Sequence, residues 1–150
     1  MKLSKKAEYA LRALLAMARA PAGTNFSIHD LATSERIPLK FLEQILLALR
    51  NGGLLRSKRG VGGGYQLQKP AAQISLREVV QLIDGPFEPV ACSAAAEKPG
   101  QSCACGVAGA CGLGHAFARL RDEVDAWLTA TTLEGVLALE KKPETLSFDI

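Results

Sequence analysis

PLKFLEQILLALRNGGLLRSKRGVGGGYQLQK, residues 38–69, changes its period midway, and that change decides the fold. The first half is helical: Leu39, Leu42, Ile45, Leu46 and Leu49 fall on one stripe. Pro38 suits a first helical position, and Asn51-Gly52-Gly53 stops the run after Arg50. The second half is extended. LLRSKR runs out, the glycines turn, and GYQLQK returns, which is the pattern of a two-stranded hairpin. Arg50, Arg56, Lys58, Arg59 and Lys69 lie in this span with no acid between the first and the last. A local basic patch of this kind suits a polyanionic partner; the net charge of +3 alone would say little.

Working outward, SIHD at Ser27 is a Ser-x-x-Asp capping pattern that opens a short helix over 27–34, and TSERI turns into the helix of 38–50. Residues 3–19 predict an amphipathic helix with Leu3, Ala7, Ala10, Leu11, Leu14 and Ala18 inward, ended by PAGTN. On the other side, Ser75 begins a capping box, SLRE, before a helix over 76–83 that Gly85 and Pro86 terminate. Residues 91–112 are rich in Ala and Gly, show no period and read as a loop. A long helix follows over 113–130. Its Leu113, Phe117, Leu120, Val124 and Trp127 are spaced 4-3-4-3, a coiled-coil seam and hence a dimer contact. TLEGVLALE adds a short last helix, and KKPETLSFDI reads as a loose tail.

The expected fold is mainly α: a winged helix-turn-helix with a two-stranded β wing, plus a long C-terminal dimerisation helix. The parts are a DNA-binding domain over 1–70, a linker helix over 71–90, a cysteine-rich loop over 91–112, a dimerisation helix over 113–140 and a tail over 141–150. No apolar run approaches the roughly 20 residues that cross a bilayer. MKLSKKAEYALRALLAMARA is interrupted by charge, unlike a signal peptide. No membrane partner is expected, and the expected compartment is the cytoplasm.

A glycine-rich loop raises the question of phosphate binding. The dinucleotide fingerprint needs a helix immediately after its glycines, and the P-loop needs Gly-Lys-Ser/Thr. Here Gly60-Val61-Gly62-Gly63-Gly64 leads into Tyr65 and an extended segment. The loop therefore presents charge and does not hold a nucleotide. In a winged helix-turn-helix the second helix enters the major groove and the wing follows the backbone or minor groove. Lys40, Glu43, Gln44 and Leu47 share one face at i, i+3, i+4 and i+7. Lys40 can reach guanine or a phosphate, Gln44 can pair with adenine, Glu43 can accept from cytosine, and Leu47 can touch a thymine methyl or pack under the wing. Arg50, Arg56, Lys58, Arg59, Gly60 and Tyr65 complete the expected contact set. The chain offers no convincing nucleophile–base pair, so it is not expected to be an enzyme.

All four cysteines lie in one window, Cys92, Cys103, Cys105 and Cys111, spaced C-x10-C-x-C-x5-C. Disulfides are disfavoured in a reducing compartment. The spacing lacks the paired units of a zinc site and the run of a ferredoxin. On spacing alone, iron–sulfur, zinc and redox or inert thiols stay open.

MKLSKKAEYALRALLAMA, IPLKFLEQILLALRNGGLLRSKRGVGGGYQLQKP and TTLEGVL together resemble the IscR/NsrR (Rrf-type) group of bacterial winged-helix transcription regulators, over residues 1 to about 139. The wing from Arg59 to Tyr65 is the most specific part of the resemblance. It implies a homodimer on a partly palindromic double-stranded operator, with base-reading positions at Lys40, Glu43 and Gln44 and a wing arginine at Arg59. It implies an iron–sulfur cluster, 2Fe–2S in the first instance and 4Fe–4S as the alternative, held by Cys92, Cys105 and Cys111. Cys103 is an extra thiol that could replace Cys105. For a fourth ligand the resemblance points to Glu8 of the partner subunit, with Cys103 and His115 as other candidates. The function so implied is a regulator, repressor or activator, whose operator affinity follows redox state, nitric oxide or iron status. The alternative is a regulator of the same fold controlled by thiols, zinc or a protein partner without a cluster.

Overall fold

The computed structural model describes residues 2–90 and 111–140. Helix α1 (Lys5–Ala18) turns a stripe of small side chains inward: Ala7, Ala10 and Ala13 are buried with Leu14 and Met17. Small residues allow close approach, and α1 packs against both α3 (Leu39–Asn51) and α4 (Leu76–Asp84). The stripe is rotated from the sequence expectation. Leu3 lies ahead of the helix and is exposed, while Leu11 and Ala18 sit only at the margin of the core. The cap at Ser4, whose hydroxyl accepts from the Ala7 amide at 3.0 Å, starts the helix two residues late and leaves Leu3 outside it.

Helix α2 (Ile28–Ser34) begins where expected, but the Ser27 side chain makes no capping bond, so the box read in SIHD is not formed. The turn into α3 puts Arg36 in the left-handed region at φ 51° and thereby drops Ile37 into the core. Arg12 of α1 donates to the Glu35 carbonyl at this turn and lies 5.7 Å from the Tyr9 ring, tying α1 to the helix-turn-helix. Pro38 is the residue before the helix, not its first. In α3, Leu42, Ile45, Leu46 and Leu49 are wholly buried.

Strands β1 (Leu55–Lys58) and β2 (Gly64–Leu67) pair antiparallel with Leu55 opposite Leu67 and Lys58 opposite Gly64. A third short edge was not legible in the sequence: Phe26 and Tyr65 exchange amide–carbonyl bonds at 2.9 Å. A 3-10 turn over Ala71–Gln73, also unread, leads to α4.

In α4 the capping box at Ser75 is complete, and Gly85 at φ 84° ends the helix one residue beyond the expected stop. Helix α5 (Gly112–Ala130) leads to α6 (Leu133–Ala138), capped by Thr132. The Leu76 amide bonds to the Thr131 carbonyl and the Leu133 amide to the Ile74 carbonyl, so the C-terminal turn is stitched onto the start of α4. Leu76, Val79 and Leu133 belong to the same core as α1–α3. The predicted tail over 141–150 and most of the predicted 91–112 loop lie outside the described residues.

Glu78 joins two of these elements. Its carboxylate accepts from the Ser75 amide at 3.0 Å and from Lys69 at 2.6 Å. Partial burial pushes its pKa up, but the bonds from Lys69 and Ser75 outweigh this and hold the carboxyl below its ordinary value. A carboxyl depressed in the folded state contributes stability above its unfolded pKa and loses it as pH falls through the folded value. Glu78→Gln can keep the cap but loses the ion pair. It is expected to cost about 0.5–1 kcal/mol at neutral pH, the pair being partly exposed. That deficit should shrink as pH falls through the ordinary carboxylate range and close below it, read as thermal midpoints against pH.

Candidate nucleic-acid interface

Helix α3 has two opposed faces. Lys40, Glu43, Gln44 and Leu47 are all exposed, opposite the buried leucine stripe, so the residues expected to read bases share one open surface. Leu47 is 45% exposed, which removes the reading that it packs under the wing. Phe41 is 50% exposed on the flank of the same surface; sequence reasoning did not place it. Its position three residues before Gln44 was the available signal.

At the wing, Lys58 and Arg59 are exposed, and among the described residues no carboxylate pairs with either. Arg56 is aligned by its cross-strand partner, donating to the Gln66 side chain at 2.9 Å, and Arg50 bonds to Asn51 at 3.3 Å. Lys69, read as part of the basic patch, is instead engaged by Glu78. The glycines have a steric reason. A Cβ at Gly64 would lie 2.3 Å from the Phe26 carbonyl oxygen, and one at Gly63 would lie 2.6 Å from that of Lys58. Gly60 turns the tip at φ 96°, and Val61 stands fully exposed there, another residue the sequence reading left unassigned. Tyr65 is half-buried against the core with its backbone paired to Phe26, so it supports the base of the wing.

On α5, Leu113 and Trp127 are each 59% exposed and Leu120 is 37% exposed, successive members standing seven positions apart. Phe117 and Val124 are half-buried beside them. Gly114 and Ala118 form the buried side, and Arg77 of α4 pairs with Asp125 at 2.6 Å. Of the five residues read as a seam, Leu113, Leu120 and Trp127 thus stand exposed as one apolar row.

Cys111 is a free, half-buried thiol at the N-cap of α5. Cys92, Cys103 and Cys105 lie outside the described residues. Among the described residues no group of three or more metal-binding side chains is gathered. Glu8, in the first turn of α1, pairs with Lys5 at 2.7 Å, and that hydrogen bond holds its carboxyl below its ordinary range. It is therefore an ionised, acceptor-only group. His115 and His29 are exposed. No helix among the described residues is long and apolar enough to cross a membrane.

Comparison with known proteins follows the same outline. The family Rrf2, described as "Iron-dependent Transcriptional regulator", matches residues 3–139. An HTH-type transcriptional regulator of Mycobacterium tuberculosis is 47% identical over 90 residues, 60% of this chain and 56% of that protein. The HTH-type transcriptional regulator IscR of Cereibacter sphaeroides is 38% identical over 86 residues, 56% of each. The chain thus spans about half the length of these curated relatives. The solved structure of CymR, the global cysteine regulator of B. subtilis, superposes with a TM-score of 0.73 at 27% identity, covering 94% of this chain and 99% of that one.

Proposed function

Because the chain belongs to the Rrf2 family of transcription regulators, which act on DNA and are not enzymes, we propose that it is a homodimer on a partly palindromic operator whose affinity is set by an iron–sulfur cluster. The observation that carries the DNA half is the open polar face of α3 opposite a fully buried stripe. Lys40, Glu43 and Gln44 meet base edges, and Arg50, Arg56, Lys58 and Arg59 meet phosphates or the adjoining groove. The α5 row of Leu113, Phe117, Leu120, Val124 and Trp127 joins two subunits and fixes the spacing of their recognition helices.

Thiolates are the usual protein ligands of iron–sulfur clusters. Cys92, Cys105 and Cys111 supply three, Cys103 is the alternative member, and Glu8 of the partner subunit supplies a carboxylate. Two members of this set lie among the described residues and support the reading: Cys111 is a free thiol at the start of α5, and Glu8 is a carboxylate in the first turn of α1. When bound, the cluster supplies a centre that reacts with oxidants or nitric oxide or is lost when iron is scarce. Cys111 would link that centre to α5, so that cluster loss would bias the linker and dimer helices between two arrangements that differ in the spacing of the recognition helices. The likeness to CymR supports a second reading, a regulator of the same fold answering to thiol state without a cluster.

Fluorescence titration of duplex DNA at several salt concentrations tests the DNA half. Arg59→Ala is expected to weaken binding to all sequences and lower the salt slope by about one. Gln44→Ala is expected to cost about 1–3 kcal/mol at one base position per half-site. Two variants that bind like the unaltered protein would remove α3 and the wing from the interface.

A further inference from the structure

Phe41 and Leu47 are large apolar side chains held in water on a helix that buries Leu42, Ile45, Leu46 and Leu49 completely and half-buries Leu39. Neither belongs to the core nor packs against it. Each stands three residues from Gln44, one toward either end of the helix, so Gln44 lies between them along the axis and around it. Three helical residues advance roughly 4.5 Å, comparable with the roughly 3.4 Å step between base pairs on one strand. A side chain that pairs with one base pair therefore has its neighbours over the adjoining ones. The one apolar group that projects into the major groove is the C5-methyl of thymine; apart from the small C5–H of cytosine, the groups used for recognition there are hydrogen-bond donors or acceptors.

We propose that Phe41 and Leu47 are specificity-determining residues that bracket Gln44 and read thymine methyl groups on either side of the base pair it recognises. This rests on α3 being the recognition helix, and it adds a requirement that hydrogen bonding alone would not impose. The operator half-site must carry thymine methyls flanking the position that Gln44 reads, on whichever strand presents them to the helix.

The test begins with duplexes selected by the full-length protein from a randomised pool. Each thymine of the selected half-site is then replaced singly by deoxyuracil, which removes only the methyl. Affinities are measured for the unaltered protein, Phe41→Ala, Leu47→Ala and Gln44→Ala, with thermal melting to confirm that these surface variants fold. The unaltered protein is expected to bind about three- to fivefold more weakly at one or two such thymines, the size expected for withdrawing one methyl from apolar contact. In Phe41→Ala one of those penalties should vanish, and in Leu47→Ala the other. Both thymines should flank the position at which Gln44→Ala loses discrimination. An operator that is bound tightly yet tolerates deoxyuracil at every thymine overturns the proposal and leaves the DNA reading standing. So do penalties that persist in both alanine variants. Failure to select any operator overturns the DNA reading as well.

Discussion

Leu120→Asp is expected to abolish tight operator binding and to convert the protein to a monomer by light scattering. Leu120 is the middle member of the exposed row Leu113, Leu120 and Trp127 on α5, so in a dimer it faces its counterpart near the centre of the seam. A carboxylate there is buried without a partner, at a cost of about 3–5 kcal/mol per uncompensated charge. The monomer keeps α3 and its wing intact, since Leu120 lies outside the core. What disappears is the second half-site acting at high effective concentration, a loss of roughly 10²–10⁴-fold in affinity. A dimer that survives the substitution and binds its operator would show that the row is covered in some other way.

The second large effect falls on the cysteines. Cys92→Ala, Cys105→Ala and Cys111→Ala are each expected to give nearly colourless protein, because a cluster site short of one thiolate loses its stability as a unit. Cys103→Ala is expected to keep most of the visible absorption. Glu8→Ala should assemble a cluster with an altered spectrum and faster loss. Its Lys5 partner lies on the surface, so the fold should be unaffected. Equal bleaching by Cys103→Ala and none by Cys105→Ala would exchange the two thiols in the ligand set. Stoichiometric zinc in protein that stays colourless after reconstitution would replace the cluster with a zinc site.

Legibility in the sequence followed the range of the interactions. Stripes and caps are local, so the leucines of α3, the box from Ser75 to Glu78 and the 4-3-4-3 row of α5 could be read directly. The unformed Ser27 cap was a local misreading, and the other differences came where a partner outside the element decides. The Phe26–Tyr65 pairing joins residues far apart in the chain, and it explains Gly64 by the carbonyl that a side chain would strike. Lys69 looked like part of a free basic patch because Glu78, nine residues on, sits across a turn. Ser4 also donates through its hydroxyl and amide to Asp84 at the end of α4, a contact no periodicity predicts, and it fixes where α1 begins. Of the candidate site, the exposure of Lys40, Glu43, Gln44 and Leu47 on one face was legible, and that of Phe41 was not. An apolar residue is ordinarily assigned inward, and only the rotation of the finished helix shows that this one is not.

Coupling between a cluster and a DNA site in one protein can be read in a single titration. Protein purified without oxygen is titrated with its selected operator before and after the cluster is removed by nitric oxide or chelation, with absorption recorded on the same samples. The account predicts a coloured dimer whose operator affinity changes by about 5–150-fold when the colour is lost, the usual range of a coupling between two sites. Equal affinity with and without the cluster, or a colourless dimer that binds the operator fully, would contradict it.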